Sequence, residues 1–171
     1  MAISNDVPKI IEKFGGDIFF SLVPYGLADV KIGPAGDLKF YCHHGPEECK
    51  GNAWHACSHL YMRPKERLEY AICTMSGDRK QLLKALRKCT DSAMAAKLKE
   101  CAEGPQGTAI VKLMADITQT AGAAVSPKDN LIPWTPYAFI DGSPEAEYGE
   151  NQTLIQLICK KAKNRPRQCK H

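Results

Sequence analysis

Residues 42 to 57 read C-H-H-G-P-E-E-C-K-G-N-A-W-H-A-C, and with His59 this stretch holds three cysteines and four histidines. A zinc site would use thiolate and imidazole ligands, but these cysteines are seven and eight residues apart, unlike the closely spaced pairs of zinc fingers. A cysteine nucleophile would need an electropositive, partly exposed thiolate beside an oriented imidazole. A disulfide-bonded loop is the third interpretation and the one we favour, because a segment rich in turn residues has little apolar surface with which to order itself.

The cysteine content is the strongest signal in the composition. Eight cysteines, an even number, predict disulfide bonds in a protein of an oxidising compartment. They are Cys42, Cys49, Cys57, Cys73, Cys89, Cys101, Cys159 and Cys169. The sequence does not give their pairing, although Cys159 and Cys169 flank a short basic loop and are locally suggestive of a pair. The triplet beginning at Asn151 is a potential glycosylation site, which fits secretion.

Length and charge limit the classes of protein. The 171 residues suffice for one domain with a buried core, and 44% apolar and 25% charged residues are typical of a globular protein. No apolar run approaches the length of a membrane span, so we expect no transmembrane segment. A net charge of +4 is too small to indicate nucleic-acid binding. The C-terminal end is basic and suits either solvent or an anionic surface; its cations are Lys160, Lys161, Lys163, Arg165, Arg167 and Lys170.

The N-terminal third shows the pattern of a helix followed by strands. Apolar spacing predicts a helix from Asp6 to Phe14, ended by two glycines. The nearly continuous apolar run from Asp17 to Val23 predicts a strand buried on both faces. Leu38 to Cys42 is a candidate for a second, short strand. Glycine and proline punctuation then predicts irregular structure from residue 43 to residue 67.

The rest of the chain is predicted to be mainly helical. Helical periodicity is present over residues 78–89, 92–102 and 105–120, with Gly122 as the expected end of the third helix. Residues 137–140 predict a strand before the turn at Asp141 and Gly142. The last helix is predicted from about Pro144 to Lys163, with Glu145, Glu147 and Glu150 in its first turns and on its solvated face.

The stretch at 42–57 resembles the signature of the gamma-interferon-inducible lysosomal thiol reductase (GILT) family, written C-Q-H-G-x-x-E-C-x-x-N-x-x-x-x-C. The residues that match are Cys42, His44, Gly45, Glu48, Cys49, Asn52 and Cys57, and only His43 departs from the signature. The resemblance extends from about residue 17 to the C-terminus, through the other cysteines and the segment from Pro133 to Gly142.

The resemblance implies an α/β (α+β) fold that is thioredoxin-like, incomplete at the N-terminus because the first strand is missing, and interrupted by a helical disulfide-rich insertion. It implies one GILT-like domain over residues 1–171, with a core at 17–42 and 130–171 and the insertion at 43–129. Pro136 is the expected cis-proline, with Pro133 as the alternative. The resemblance also implies a secreted or lysosomal glycoprotein.

The chemistry of the family requires two cysteines separated by two residues, and these 171 residues contain no such C-x-x-C. We therefore assign no catalytic residue, no metal and no cofactor. The sequence favours a secreted GILT-like protein without reductase activity that binds a protein or an anionic cell surface, the latter through the C-terminal cations. One alternative is a GILT-family thiol reductase seen in truncated form. Another is redox activity of a pair within the eight cysteines.

Overall fold

The computed structural model describes residues 2–76, 81–145, 148 and 152–169. These residues form a mixed α and β protein, mainly helical, with two small sheets. The helices are α1 Ala2–Phe14, α2 Pro46–Tyr61, α3 Pro64–Met75, α4 Leu82–Lys88, α5 Ser92–Glu103, α6 Pro105–Val125 and α7 Leu154–Lys161. The strands are β1 Asp29–Ile32, β2 Leu38–Tyr41, β3 Ala138–Ile140 and β4 Ser143–Glu145, and single 3-10 turns span Gly15–Asp17 and Arg167–Cys169.

Both sheets are antiparallel hairpins. β1 pairs with β2 so that Val30 lies opposite Phe40, and both side chains pack against the helices. β3 pairs with β4 across a turn at Asp141 and Gly142, whose φ values of 49° and 81° suit a tight hairpin connection. The predicted strand from Leu38 to Cys42 is thereby confirmed to within one residue.

The larger hydrophobic cluster lies among α2 to α6. Trp54 and Cys57 of α2, Leu98 of α5 and Met114 of α6 are buried together, and the β1–β2 hairpin covers one side. Trp54 is thus a packing residue, as its apolar surroundings require. The predicted helices at 92–102 and 105–120 are confirmed, because their apolar stripes face this cluster.

A second cluster joins the two ends of the chain. Ile10 and Phe14 of α1 pack with Leu157 of α7, and Ile140 of β3 adds to the same cluster. The predicted helix that ends at Phe14 is confirmed, although it begins at Ala2 instead of Asp6.

Four disulfides use all eight cysteines. The pairs are Cys42–Cys49, Cys57–Cys101, Cys73–Cys89 and Cys159–Cys169. Three of them lie in or beside the larger cluster, and the fourth closes the end of α7 onto the last 3-10 turn.

The prediction of irregular structure at 43–67 is wrong, because α2 and the start of α3 occupy these residues. The glycines and prolines here are compatible with helices for positional reasons. Gly45 is the N-cap residue of α2, and Pro46 and Pro64 stand in first turns, where no amide hydrogen bond is lost. Gly51 is buried inside α2, and a Cβ there would lie 2.6 Å from Leu82 Cδ2.

The prediction of a strand at Asp17 to Val23 is also wrong. Asp17 ends a 3-10 turn, Ile18 is extended, and residues 18–23 belong to no sheet in the described part of the chain. The thioredoxin-like core implied by the resemblance would place this segment and Tyr137 to Ile140 in one sheet, but in the described residues they share none, and β3 pairs with β4. A strand exists only where a second strand supplies hydrogen-bond partners, and that information is not local.

The last helix starts ten residues later than predicted, at Leu154, where the Thr153 hydroxyl accepts a hydrogen bond from the Gln156 amide. Pro144 and Glu145 belong to β4, and Glu145 is only 1% exposed, with its carboxylate 3.0 Å from Lys161 Nζ. The expectation of a solvated face for Glu145 is therefore wrong; Glu147 and Glu150 lie outside the described residues.

Two further helix boundaries differ from prediction. The helix predicted at 78–89 is described from Leu82 to Lys88, and residues 77–80 lie outside the described part. Helix α6 continues through Gly122 to Val125. A Cβ at Gly122 would collide with the carbonyl oxygen of Asn130, so this glycine permits a close approach of the following chain instead of ending the helix.

Candidate functional site

The signature residues form the start of helix α2. Gly45 precedes the helix with φ of 92°, a conformation that favours glycine. The Cys42–Cys49 disulfide joins the preceding strand end to the first turns of the helix, with Cα atoms 5.5 Å apart. The backbone amide of His44 donates to the Glu48 carboxylate over 2.7 Å, and the His44 ring lies 3.2 Å from the same oxygen. These contacts fix the entry of the chain into α2.

Asn52 extends this arrangement to a distant turn. Its side-chain amide donates to the carbonyl oxygen of Tyr25 over 3.3 Å. The Tyr25 side chain is buried, and burial, followed by the nearby charges of Asp29 and Asp116, raises its pKa to about 12. The signature helix therefore holds a turn that lies 27 residues earlier in the chain.

The turn at Tyr25–Gly26 lies beside the loop that precedes β3. Gly26 has φ of 65°, and a Cβ there would lie 3.2 Å from Thr135 Cγ2. The peptide bond between Thr135 and Pro136 is cis. Asn52, the turn at Tyr25–Gly26 and the Thr135–Pro136 loop thus form a continuous series of contacts.

Cys57 lies outside the short loop that the disulfide between Cys42 and Cys49 closes. Its sulfur is bonded to Cys101, so this disulfide joins α2 to α5 in the buried cluster. The idea of a loop closed within residues 42–57 is therefore corrected: the segment is a helix held at its start by one bridge and at its buried end by another. Disulfide sulfurs are not the thiolates that a zinc site or a cysteine nucleophile requires.

The structural roles of His55 and His59, two of the four histidines of this stretch, were not predicted from the sequence. The Thr74 hydroxyl donates to the Ala71 carbonyl, so the 3.1 Å contact with His55 is a hydrogen bond that the His55 Nε2–H donates. Burial, followed by the charge of His59, lowers the pKa of His55 to about 4. The signal available in the sequence was the four-residue spacing between His55 and His59. It makes the two residues neighbours only if the segment is helical.

His59 holds the segment that follows α1. Its Nε2 lies 3.0 Å from the carbonyl oxygen of Leu22. Burial is the main cause that lowers the pKa of His59, and the positive charge of Arg67 acts in the same direction. Together Asn52 and His59 attach residues 22–25 to α2 at two points.

A large groove lies between these elements. Its volume is about 2180 Å³, and its walls include residues 17–26, the stretch from Thr135 to Gly142 that contains β3, and parts of α2 and α6. The groove therefore runs along the Thr135–Pro136 loop and the segment held by His59.

The C-terminal cations have different surroundings in the described residues. Lys161 is paired with the buried Glu145, and the backbone amide of Lys163 donates to Asp141 over 2.7 Å. Lys163, Arg165 and Arg167 border a small depression that also contains Asp17. Asn151, the potential glycosylation site, and Lys170 lie outside the described residues.

The sequence comparisons identify the family. A family model described as "Gamma interferon inducible lysosomal thiol reductase (GILT)" matches residues 1–93, and the chain belongs to this family. A gamma-interferon-inducible lysosomal thiol reductase of Carassius auratus is 30% identical over 149 residues, which are 81% of this chain and 53% of the relative.

Two insect proteins are also similar. A gamma-interferon-inducible lysosomal thiol reductase-like protein of Anopheles gambiae is 26% identical over 132 residues, or 68% of this chain and 54% of that protein. GILT-like protein 2 of Drosophila melanogaster is 37% identical over 71 residues, or 42% of this chain and 30% of that protein. The chain thus spans about half the length of the first two relatives. None of the described helices is both long and apolar enough to cross a membrane.

Proposed function

We propose that this chain is the scaffold and substrate-docking part of a GILT-family thiol reductase. In this proposal the eight cysteines are structural, and the reactive dithiol is a C-x-x-C outside these 171 residues. The family match and the thiol reductase relatives support a reductase over a binding protein without enzymatic activity.

The observation that carries the proposal is the meeting of three features at one groove. The signature helix contacts the turn at Tyr25–Gly26, and that turn lies so close to Thr135, in the loop before β3, that a Cβ at Gly26 would be 3.2 Å from Thr135 Cγ2. A groove of about 2180 Å³ beside this loop is large enough for a segment of a polypeptide substrate. Rigid support of such a loop by a disulfide-bonded helix is what a precise docking site requires.

The chemistry needs a thiolate that attacks the substrate disulfide and a second thiol that resolves the mixed disulfide. Within the described residues every cysteine is already bonded to another, so the chain provides neither group in this state. The thioredoxin-like core implied by the resemblance remains part of the proposal, as does a lysosomal or secreted location. Four disulfides fit an oxidising compartment of either kind.

Reduction of insulin disulfides tests the proposal, with the native mature protein and the 171-residue chain assayed in parallel at acidic and neutral pH. We expect turnover by the native protein, a C-x-x-C in its peptide map, and none by the 171-residue chain. A native protein treated with a thiol-alkylating reagent is the control.

Two outcomes would contradict the proposal. A native mature protein without a C-x-x-C and without turnover would favour the binding protein predicted from the sequence. Turnover by the 171-residue chain would assign the chemistry to its own cysteines. In that case Cys42→Ser/Cys49→Ser should be compared with Cys159→Ser/Cys169→Ser, because only the first pair lies at the signature helix.

A further inference from the structure

The disulfide between Cys159 and Cys169 closes a short loop that begins in the last turns of α7. Three cations of this loop, Lys163, Arg165 and Arg167, stand at alternate positions of the sequence, and all three are exposed. They border one depression of about 440 Å³. The fold therefore brings three positive charges to the edge of one concave surface.

The apolar residues of the loop contact the interior of the protein. Pro166 and Cys169 are buried, and Ala162 packs against the cluster formed by α1 and α7. The residues of the loop that are exposed are all polar or charged. The loop thus offers solvent no apolar side chain of the kind that enters a lipid bilayer.

Hydrogen bonds hold the loop in position. The backbone amide of Lys163 donates to the Asp141 carboxylate over 2.7 Å, and the Gln168 side chain donates to Asp17 over 2.8 Å. Together with the disulfide, these bonds fix the backbone in the middle of the loop and at its ends. Charges on a fixed backbone bind a ligand with a smaller loss of conformational entropy than charges on a free tail.

The protein itself does not neutralise these charges. Within the described part of the chain, none of the side chains of Lys163, Arg165 and Arg167 forms an ion pair. Asp17 is the only carboxylate among the described residues that border the depression, so three positive charges face one negative charge. This balance favours a ligand that carries several negative charges.

Shape and chemistry select among such ligands. A concave depression admits a narrow chain, whereas a flat lipid surface would contact only its rim. The guanidinium groups of Arg165 and Arg167 can each form two parallel hydrogen bonds with the oxygens of a sulfate or phosphate group. The four disulfides fit an oxidising compartment, where sulfated glycans are the common chain-like polyanions.

We propose that the loop from Cys159 to Cys169 binds a sulfated glycan chain, whose sulfate groups contact Lys163, Arg165 and Arg167. None of these three cations borders the groove proposed for substrate docking. The binding is therefore independent of the proposed reductase chemistry, and it does not require a reactive dithiol.

The first test measures binding of a heparin oligosaccharide to the 171-residue chain by calorimetry, at about 0.15 M salt. We expect the triple variant Lys163→Gln/Arg165→Gln/Arg167→Gln to raise the Kd about tenfold or more, because three charged contacts are lost. We also expect the Kd of the unaltered chain to rise with salt more steeply than the Kd of this variant.

The matched control removes the same charge from another part of the surface. It is the triple variant Arg87→Gln/Lys88→Gln/Lys97→Gln, in which the three exposed cations belong to α4 and α5. We expect its Kd to stay within about twofold of the unaltered chain, because salt screens distant charges. All six side chains are exposed, so circular dichroism and urea titration should show that both variants fold like the unaltered chain.

A second test changes the ligand and keeps the protein. We expect the desulfated form of the same oligosaccharide to bind about tenfold more weakly or worse, because its carboxylates remain and its sulfates are lost. Phosphatidylserine vesicles and a DNA oligonucleotide of equal charge should also bind more weakly than the sulfated form. No binding of the heparin oligosaccharide, equal effects of the two triple variants, equal binding of the desulfated form, or tighter binding of vesicles or DNA would overturn the proposal.

Discussion

The helical half of the molecule, residues 25–125, and the terminal half, residues 2–24 with 132–169, are stabilised by different means. The helical half contains three disulfides, and its helices enclose a continuous buried cluster. The terminal half contains one disulfide, a smaller cluster, and the segment at Ile18–Val23, which belongs to no sheet in the described part of the chain. The difference indicates that cross-links stabilise mainly the half with the signature.

The two halves also differ in how their backbone hydrogen bonds are satisfied. In the helical half every helix satisfies its own backbone, so packing and disulfides complete the structure. In the terminal half, residues 18–23 belong to no sheet among the described residues, and the Leu22 carbonyl is bound by His59 of the helical half. We expect the terminal half to be the less stable part, and three predictions test this comparison.

The largest expected effect comes from the long-range disulfide. Replacement of the Cys57–Cys101 pair by alanine removes a link across 44 residues, and loop entropy predicts a loss of about 4 kcal/mol in the free energy of unfolding. The same change at Cys159–Cys169, a link across 10 residues, predicts a loss of about 3 kcal/mol. Urea titrations without reductant compare the two variants, and the opposite ranking would refute the view that cross-links dominate in the helical half.

The second effect is a pH dependence in the helical half. His55 is 7% exposed and its pKa is lowered to about 4, so the folded state binds fewer protons than the unfolded state between pH 6.5 and pH 4. Stability is therefore fully present above pH 6.5 and falls as the pH approaches 4, by up to about 3 kcal/mol. His59, whose pKa is also lowered, acts in the same direction.

Urea titrations at pH 7, 5.5 and 4.5 measure this dependence. The groups that face the two histidines are Thr74 and Tyr70 beside His55, and Arg67 beside His59; none of them supplies a negative charge at these pH values. His55→Gln keeps a donor for Thr74 and removes the titration, so its stability should fall less with decreasing pH. If the free energy of unfolding changed equally with pH in this variant and in the unaltered chain, the role of His55 would be contradicted.

The smallest effect compares the two halves directly through helix caps. The Asp91 carboxylate accepts from the Met94 amide at the start of α5, and the Thr153 hydroxyl accepts from Gln156 at the start of α7. Alanine at either position should cost about 1 kcal/mol. We expect Thr153→Ala to accelerate amide hydrogen exchange in α7 without changing the exchange rates in α5, because the terminal half opens first. Equal acceleration in both helices would mean that the two halves unfold together.

Much of the chain was predictable because the signals are local. Helices α5 and α6 show apolar stripes in the sequence, and β2 appears as a short apolar run before Cys42. The signature at 42–57 and the spacing of the other cysteines identified the family. They did not reveal that the signature is helical, because the glycines and prolines of that region resemble loop punctuation.

The sequence by itself determined the family, the cysteine framework and the apolar faces of α1, α5 and α6. Only the tertiary structure decided that Cys57 pairs with Cys101, that Glu145 is buried with Lys161, and that residues 18–23 belong to no sheet within the described part of the chain. The reason is the range of the interactions concerned. Helix hydrogen bonds join residues four apart, whereas disulfides, ion pairs and strand pairing join residues that only the folded chain brings together.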